Sequence, residues 1–290
     1  MLDLHVHSTA SDGTLTPEEI VAVSLEKGLR ALALADHDSI AGIERARAAA
    51  AGTDLLIIPS VEVSTDYQST EVHILGYFLD YRNAELLDKL AAIREAREGR
   101  AEKMVELLQG HGVNITYEQV LERANGGSVG RPHVAGVLVE AGHVDTPQEA
   151  FDRYLGRGKP AYVPRYKLSP QEAIELIQQC QGLAVLSHPG LIHNGRLVLE
   201  AIDEGIEGLE AYHSAHTVQT SEKYAKLARE RGLLVTCGTD SHGPGGSIPV
   251  EIGSVQMPDE AEALERLLEW GRKRGRWPLS LNTTEDRPVC

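Results

Sequence analysis

The chain has 290 residues, 42% of them hydrophobic, and a formal net charge of -15. That length fits one large α/β domain or a domain with an insertion, and the acidic charge argues against a broad surface for DNA or RNA, which needs many lysines and arginines. No apolar stretch is long enough to span a bilayer, and no secretory signal pattern precedes the first predicted strand. The three widely spaced cysteines suggest neither disulfides nor a thiolate metal site. We expect a cytoplasmic protein.

The first predicted element is a short strand that ends in two histidines. Residues 2–7 read LDLHVH and alternate apolar with polar, which is the period of a β-strand, so His5 and His7 project to the same side. The Asp-Gly pair at 12–13 predicts a tight turn. Residues 16–19 read TPEE, which is typical of a helix start. The sequence therefore predicts a strand, a polar loop and a helix, with two imidazoles at the carboxyl end of the strand.

Strand-like and helix-like segments then alternate along the chain. The further predicted strands span residues 29–36, 54–64, 71–80, 182–190, 205–214 and 232–242. The predicted helices between them span residues 17–27, 40–51, 170–179, 196–204 and 221–231. This alternation is typical of βαβ units with parallel strands.

Residues 84–163 break the alternation. Their pattern predicts helices over 84–109, 117–124, 133–141 and 147–155, with little strand signal. We expect a helical subdomain inserted into a barrel formed by residues 1–83 and 164–276, followed by a loose tail over 277–290. In and just after the insert lies a cluster of basic side chains: Arg131, His133, Arg153, Arg157, Lys159, Arg165 and Lys167. The cluster is either a binding surface or a solvated helix face.

Polar side chains recur where the predicted strands end. They are His5, His7, Asp12, Asp36, His37, Asp38, Glu62, His73, His188, Glu210, His213, Asp240 and His242. The carboxyl ends of parallel strands face the active site in such folds, and so many imidazoles and carboxylates are costly to bury unless they are paired or bind metal. Imidazole and carboxylate without thiolate suit Zn, Mn or Fe. The number of ligands predicts two or three ions, a set that can hydrolyse phosphate esters.

Six motifs carry a resemblance to a known family. LHVHSTASDGT, ALADHDS, VEVS, VHILGY, LSHPG and GTDSH look like the successive motifs of the PHP (polymerase and histidinol phosphatase) family. The resemblance covers most of the chain outside the predicted insert. It implies an α/β fold, a distorted (β/α)7 TIM-like barrel, and a trinuclear metal centre that hydrolyses phosphoesters. Manganese is the expected ion, with zinc and iron as alternatives.

The resemblance also implies a ligand set for each metal. The implied ligands are His5, His7, Glu62 and Asp240 for the first ion, Glu62, His73 and His188 for the second, and Asp12, His37 and His242 for the third. Glu62 bridges the first two ions. Asp12 departs from the pattern, because several relatives have histidine there. This exchange changes the charge of the third site and puts its full occupancy in doubt.

The loop STASDGTLTPEE and the helical insert are similar to a subgroup of the family that acts on nucleotides and RNA ends. This resemblance implies removal of the 3'-phosphate from a 3',5'-bisphosphonucleoside such as adenosine 3',5'-bisphosphate, or 5'-to-3' cleavage of short 5'-phosphorylated RNA. Such a substrate needs fixed donors for its second phosphate. Arg131, in GGSVGRPH, is the preferred donor because arginine binds phosphate in a bidentate way and glycines let backbone N–H groups approach. The insert would then act as a lid. The lesser candidates are His133, Lys159, Arg165 and Lys167.

The expected mechanism is in-line attack of a metal-bridging hydroxide on the 3'-phosphorus, with Glu62 and Asp240 as the catalytic carboxylates. His193 is a candidate acid for the leaving oxygen. The other candidates for contacting the substrate are Arg196, His213 and His216. Each of these four residues is equally well explained as an ordinary loop or helix-start residue.

Three alternatives stay open. The first is a phosphatase for a small metabolite such as histidinol phosphate. The second is a catalytically silent module that binds nucleic acid or a partner protein, which is disfavoured because every motif position carries a plausible ligand. The third is an amide hydrolase, whose bridging lysine has no counterpart at a strand end here. Two Phe and two Trp give few stacking platforms, so a short nucleotide with one stacked base is preferred to a long single strand.

Overall fold

In the computed structural model, the described residues are 1–67, 70–124, 129–164 and 168–275, without the side chains of 97–98. The chain divides into two compact units. One consists of Met1–Leu87 together with the chain from Leu168 onwards, and the other is Asp88–Lys167. The tail predicted over 277–290 lies outside the described residues. No helix in the described ranges is long and apolar enough to cross a membrane.

The first unit contains one sheet of seven strands in chain order. They are β1 (Leu2–Val6), β2 (Ala31–Leu34), β3 (Leu56–Tyr67), β4 (Thr70–Tyr77), β5 (Leu183–Leu186), β6 (Gly208–His213) and β7 (Leu234–Gly238). The last strand returns to the first, because Val6 pairs with Ser241 in a parallel bridge and the Asp240 N–H donates to the His5 carbonyl at 2.7 Å. The sheet is thereby nearly closed, and the predicted TIM-like barrel is confirmed.

The expectation of parallel strands throughout is wrong for β4, which runs antiparallel to both β3 and β5. The reason is the length of the connection. β3 continues to Tyr67 and β4 begins at Thr70, so only residues 68–69 lie between them. A connection this short joins antiparallel strands, since a parallel pair needs a crossover of a dozen residues or more.

Six helices accompany the strands of this unit among its described residues. They are α1 (Pro17–Glu26), α2 (Ile43–Ala49), α7 (Pro170–Gln179), α8 (Gly195–Asp203), α9 (Val218–Arg231) and α10 (Glu260–Lys273). Thr16 begins α1 where TPEE predicts a helix start, and both Thr16 and Ser169 form capping boxes, at α1 and α7 respectively. No helix was predicted at the position of α10, although Leu264, Leu267 and Leu268 recur at helical spacing there and are buried.

The second unit is helical. Its helices are α3 (Ala84–Gly110), α4 (Tyr117–Ala124), α5 (Arg131–Glu140) and α6 (Pro147–Ala150). The predicted helix over 147–155 is interrupted, because the chain changes at Phe151–Leu155 to a wider π-helical turn. Leu108, Val120, Val134 and Leu138 lie in the core of this unit. Burial of these apolar side chains stabilises the unit, and α4, α5 and α6 are too short to persist in water alone.

Candidate metal centre

His5 and His7 lie side by side at the end of β1, and both are fully buried. Their Nε2 atoms are 3.1 Å apart. Two carboxylates lie against the same pair of nitrogens. Glu62 Oε2 is 3.4 Å from each Nε2, and Asp240 Oδ1 is 3.0 Å from that of His7 and 3.4 Å from that of His5. These four side chains can all offer a ligand atom to one ion.

A second group surrounds the other oxygen of Glu62. Its Oε1 lies 3.0 Å from His73 Nδ1 and 3.3 Å from His188 Nε2. His73 reaches this point because β4 is antiparallel, so that its first half lies at the edge where the parallel strands end. His188 follows β5 with a φ of 28°, a backbone conformation that is strained for a residue with a side chain. Glu62 is therefore placed between two groups of nitrogen ligands.

A third group forms around Asp12. Its carboxylate lies 3.5 Å from His242 Nε2, 3.6 Å from His7 Nδ1 and 4.0 Å from His37 Nε2. These four side chains also lie close enough to share an ion. Asp12 is more exposed than the other carboxylates, with 37% of its side chain accessible. The structure thus brings the nine side chains that the resemblance implies as ligands into one cluster.

The buried polar atoms of this cluster fit a cation. Glu62 Oε2 and Asp240 Oδ1 lie against imidazole nitrogens, yet neither makes a hydrogen bond of proper geometry with any described residue. The same holds for Nδ1 of His7 and of His188. Buried polar groups are rarely left unpaired, since each costs free energy. Nitrogen and oxygen atoms that converge without hydrogen bonds are the donor set of Mn²⁺, Zn²⁺ or Fe²⁺.

The charges of the cluster are coupled. Burial disfavours a charged imidazole at His7, but the nearby carboxylates of Asp240 and Glu62 outweigh it and raise the pKa of His7 to about 10. Burial also opposes the charge of His73, and Glu62 again raises its pKa, to about 9. For Glu62 itself, burial favours the neutral acid, but the surrounding imidazoles hold its pKa well below the ordinary value. Without metal, protons on the imidazoles therefore neutralise the carboxylates.

Two residues that end β6 also lie at the cluster. Glu210 is fully buried and lies 3.0 Å from His5 Nδ1, and the buried His213 lies 3.5 Å from Asp240 Oδ2. His213 was predicted only as a substrate contact, and Glu210 received no role. The available signal was position, because both lie in the second half of the predicted strand over residues 205–214.

The other residues of the barrel unit that were predicted to act on or contact the substrate have different surroundings. His216 uses both ring nitrogens: Nδ1 donates to the Ala211 carbonyl at 2.9 Å, and Nε2 accepts from the Gly190 N–H at 3.0 Å. It therefore joins two loops. His193 and Arg196 are exposed, and Arg196 pairs with Glu200 at 2.7 Å.

The basic residues predicted to contact the substrate belong to the second unit of the chain. Arg131 is half-buried at the start of α5, with its guanidinium over the Phe151 ring at 5.5 Å. His133 accepts the Gly130 N–H through Nδ1 at 3.0 Å and so caps α5. Lys159 is exposed in a turn. The candidates Arg165 and Lys167 lie outside the described residues.

Residues 3–187 match the PHP domain. The chain belongs to the PHP family. The 5'-3' exoribonuclease Rnm of Escherichia coli is 34% identical over 98% of this chain and 96% of its own length. The 3',5'-nucleoside bisphosphate phosphatase of Chromobacterium violaceum is 34% identical over 84% of this chain and 88% of its own length. This PHP protein is therefore a hydrolase, a metal-dependent phosphoesterase, as its motifs predict.

Solved structures agree with this membership. A candidate metal-dependent phosphoesterase of Bifidobacterium adolescentis has a TM-score of 0.76 and 30% identity, over 93% of this chain and 96% of its own. A protein of Chromobacterium violaceum described as an amidohydrolase, solved with bound sulfate and no metal, has a TM-score of 0.74 and 32% identity, over 91% of this chain and 96% of its own.

Proposed function

We propose that the protein hydrolyses the bond between the 3'-oxygen and the phosphorus of a 5'-phosphorylated nucleoside, with 3',5'-bisphosphonucleosides such as adenosine 3',5'-bisphosphate as substrates. The observation that carries this proposal is the cluster around Glu62, which has the donor set of a multinuclear metal site. It occurs in a chain 34% identical to a relative named as a 3',5'-nucleoside bisphosphate phosphatase. The products are a nucleoside 5'-phosphate and inorganic phosphate.

A second candidate is 5'-to-3' cleavage of short 5'-phosphorylated RNA. It is favoured by the relatives named 5'-3' exoribonuclease, which are 34% to 37% identical to this chain. The two activities break the same bond, because release of the first nucleotide of such an RNA as a 5'-phosphate also cleaves its 3'-oxygen from phosphorus. They differ only in what remains attached to that phosphorus.

The cluster would hold the catalytic cations in either reaction. When bound, two or three divalent cations activate water and neutralise charge on the phosphoryl oxygens. Manganese is our proposed ion, with zinc or iron as alternatives. The carboxylates of Asp12, Glu62 and Asp240 carry too little negative charge to neutralise these cations, so the loaded site attracts a phosphate dianion even though the chain as a whole has a net charge of -15. Glu62 holds the imidazoles of neighbouring ligand groups at fixed distances.

We assign the 5'-phosphate of the substrate to Arg131. Its guanidinium is half-buried against Phe151, and no carboxylate of the described residues pairs with it. A guanidinium held in place by an aromatic ring loses less side-chain entropy when it binds a phosphate in a bidentate way. Arg153 is less suited, because it already pairs with Glu149 at 2.7 Å.

The test is phosphate release with Mn²⁺ supplied. Adenosine 3',5'-bisphosphate is compared with adenosine 3'-phosphate, adenosine 5'-phosphate, histidinol phosphate and a 5'-phosphorylated trinucleotide RNA. We expect the bisphosphate to give the highest kcat/KM and to leave adenosine 5'-phosphate. Higher kcat/KM for the RNA would select the second candidate, and equal or faster turnover of histidinol phosphate would refute both.

The Arg131→Ala variant tests the phosphate assignment separately. It should lower kcat/KM for the bisphosphate about 10- to 100-fold, the effect of one charge-assisted interaction, and leave turnover of adenosine 3'-phosphate unchanged. Arg153→Ala is the matched control and should change neither. Equal losses with both substrates would contradict the assignment.

A further inference from the structure

Strand β6 contains two buried polar side chains, Glu210 and His213, that belong to none of the three proposed sets of metal ligands. Glu210 is 0% exposed and His213 is 4% exposed. The strand lies between β5 and β7, which precede the proposed ligands His188 and Asp240. Burying a carboxylate and an imidazole here is costly unless both have partners.

Both oxygens of Glu210 accept hydrogen bonds. Oε1 lies 3.0 Å from His5 Nδ1. Oε2 accepts from the His188 backbone N–H at 2.8 Å and lies 3.3 Å from the Ser187 hydroxyl, whose single proton is shared with Glu62 Oε1 at 3.1 Å. An ionised carboxylate has no proton to donate, so the proton of His5 is on Nδ1. When His5 is neutral, its lone pair is therefore on Nε2, which faces Glu62 and Asp240, and this is the form in which a histidine binds metal.

His213 has the opposite tautomer. Its Nδ1 accepts the backbone N–H of Ala215 at 3.0 Å. A backbone N–H always donates, so the lone pair of neutral His213 is on Nδ1 and its proton is on Nε2. That Nε2 lies 3.5 Å from Asp240 Oδ2 but makes no hydrogen bond of proper geometry with any described residue. His213 thus faces the cluster with a donor rather than with a lone pair.

His242 provides the comparison. Its Nδ1 lies 2.9 Å from the Asp240 carbonyl, which can only accept, so its lone pair is on Nε2 and faces Asp12. His5 and His242 therefore have the tautomer of a metal ligand, whereas His213 does not. His5, Glu210 and His213 also lie close enough together to share an ion, but the hydrogen bonds of the two histidines leave no lone pair for it there.

We infer that β6 supplies no metal ligand and instead positions ligands of two neighbouring strands. Glu210 fixes the tautomer and orientation of His5 on β1. It also holds the strained backbone of His188. His213 directs its Nε2–H to Asp240 Oδ2, which leaves Oδ1 of that carboxylate for the ion. Outer hydrogen bonds of this kind orient ligands and raise their basicity, and their loss weakens metal binding about 10- to 100-fold.

The direct test reads the tautomers by NMR of the full-length protein with ¹⁵N-labelled histidine, first without metal and then loaded with diamagnetic Zn²⁺. We expect the His213 proton to stay on Nε2 in both states. His5 should keep a proton on Nδ1 in both states, and Zn²⁺ should bind at its Nε2 and shift that signal. An His213 Nε2 that loses its proton to Zn²⁺ would overturn the inference.

Variants test the same point through affinity. Glu210→Gln keeps the shape but can no longer accept with both side-chain atoms, and His213→Ala removes the donor. Each should lower Zn²⁺ affinity about 10- to 100-fold, with the number of ions per chain at saturation unchanged. His111→Ala is the control, since it removes an exposed histidine that follows α3 and should leave Zn²⁺ affinity unchanged.

Loss of a whole ion per chain in His213→Ala would make His213 a ligand and refute its positioning role. Unchanged Zn²⁺ affinity in Glu210→Gln would refute the role of Glu210. These readouts do not depend on the substrate. A failure of the proposed function on the substrate panel would therefore leave them unaffected, and the two claims can fail separately.

Discussion

Among single residues, Glu62 has the central position, because its carboxylate lies against most of the histidines of the cluster. Its two oxygens lie within 3.4 Å of the ring nitrogens of His5, His7, His37, His73 and His188. A buried carboxylate among five imidazoles needs positive charge around it, which either protons on the rings or bound cations can supply. In the loaded protein, metal ions would supply it, and Glu62 could offer one oxygen to each of two ions.

Replacing Glu62 should therefore affect more than one ion. Glu62→Gln removes the bridging charge and turns an amide N–H₂ toward a histidine. We expect at least one ion fewer per chain and kcat reduced more than about 1,000-fold, since both ligand geometry and charge are lost. Metal content by mass spectrometry and phosphate release with excess Mn²⁺ check this. Glu251→Gln, at an exposed carboxylate that pairs with Lys27, is the control. A full metal complement with a tenth of the activity or more would contradict the bridging role.

Metal and protons compete for the same imidazoles. The pKa of His7 is raised to about 10 and that of His73 to about 9 in the absence of metal. A raised histidine pKa stabilises the metal-free fold fully below the ordinary value of 6.5, and this stability is lost as pH rises through 9 and 10. Metal binding needs the neutral rings, so it must displace these protons.

We accordingly expect Mn²⁺ affinity to rise from pH 6.5 to pH 8.5, with protons released on binding. Calorimetric titration in buffers of different ionisation enthalpy measures the number of protons released. The chelated protein should also lose stability at pH values above about 9, whereas the loaded protein keeps it. An affinity that does not change with pH, without proton release, would show that the histidines are neutral before the metal arrives.

The secondary-structure elements explain which parts of the site could be predicted. The strand-end motifs could be read from the sequence because the period of each strand and its polar end are local features. The direction of β4 could have been read in the same way, because the predicted strands over 54–64 and 71–80 leave only residues 65–70 between them, too few for a parallel crossover. The tautomers of His5 and His213 depend on partners more than 200 residues away or on a loop backbone. No local pattern encodes these contacts.

Gly238, at the end of β7, tests how tightly the strands pack behind the metal ligands. A Cβ on Gly238 would overlap the His5 side chain and come within 2.7 Å of Glu210 Oε1. We expect Gly238→Ala to destabilise the metal-free protein by about 3 kcal/mol and to weaken metal binding, because both groups must move.

The control for this substitution is Gly99→Ala. Gly99 lies in α3, and an added Cβ would meet no atom within 4 Å. The alanine should raise stability by about 1 kcal/mol through helix propensity. Urea unfolding of both chelated variants makes the comparison. A Gly238→Ala protein as stable as the parent would show that the end of β7 is loosely packed.

At the scale of the whole molecule, the chain has a barrel with many candidate metal ligands and a helical unit with basic side chains. The sequence could predict the barrel and the family because the motifs occur in chain order. The proposed substrates share one scissile bond. It joins the 3'-oxygen of a 5'-phosphorylated nucleoside to phosphorus. Metal dependence belongs to the family, and the choice of this bond is the central proposal for this chain.

The most direct test is hydrolysis of adenosine 3',5'-bisphosphate in ¹⁸O-labelled water with Mn²⁺, with the products identified by mass spectrometry. We predict that the label enters inorganic phosphate, that the nucleoside product is adenosine 5'-phosphate, and that this nucleotide carries no label. A 5'-phosphorylated dinucleotide should likewise give an unlabelled first nucleotide and a labelled 5'-phosphate on the second. Adenosine 3'-phosphate as the product, label in the nucleotide released from the bisphosphate, or no hydrolysis of either substrate would contradict the proposal.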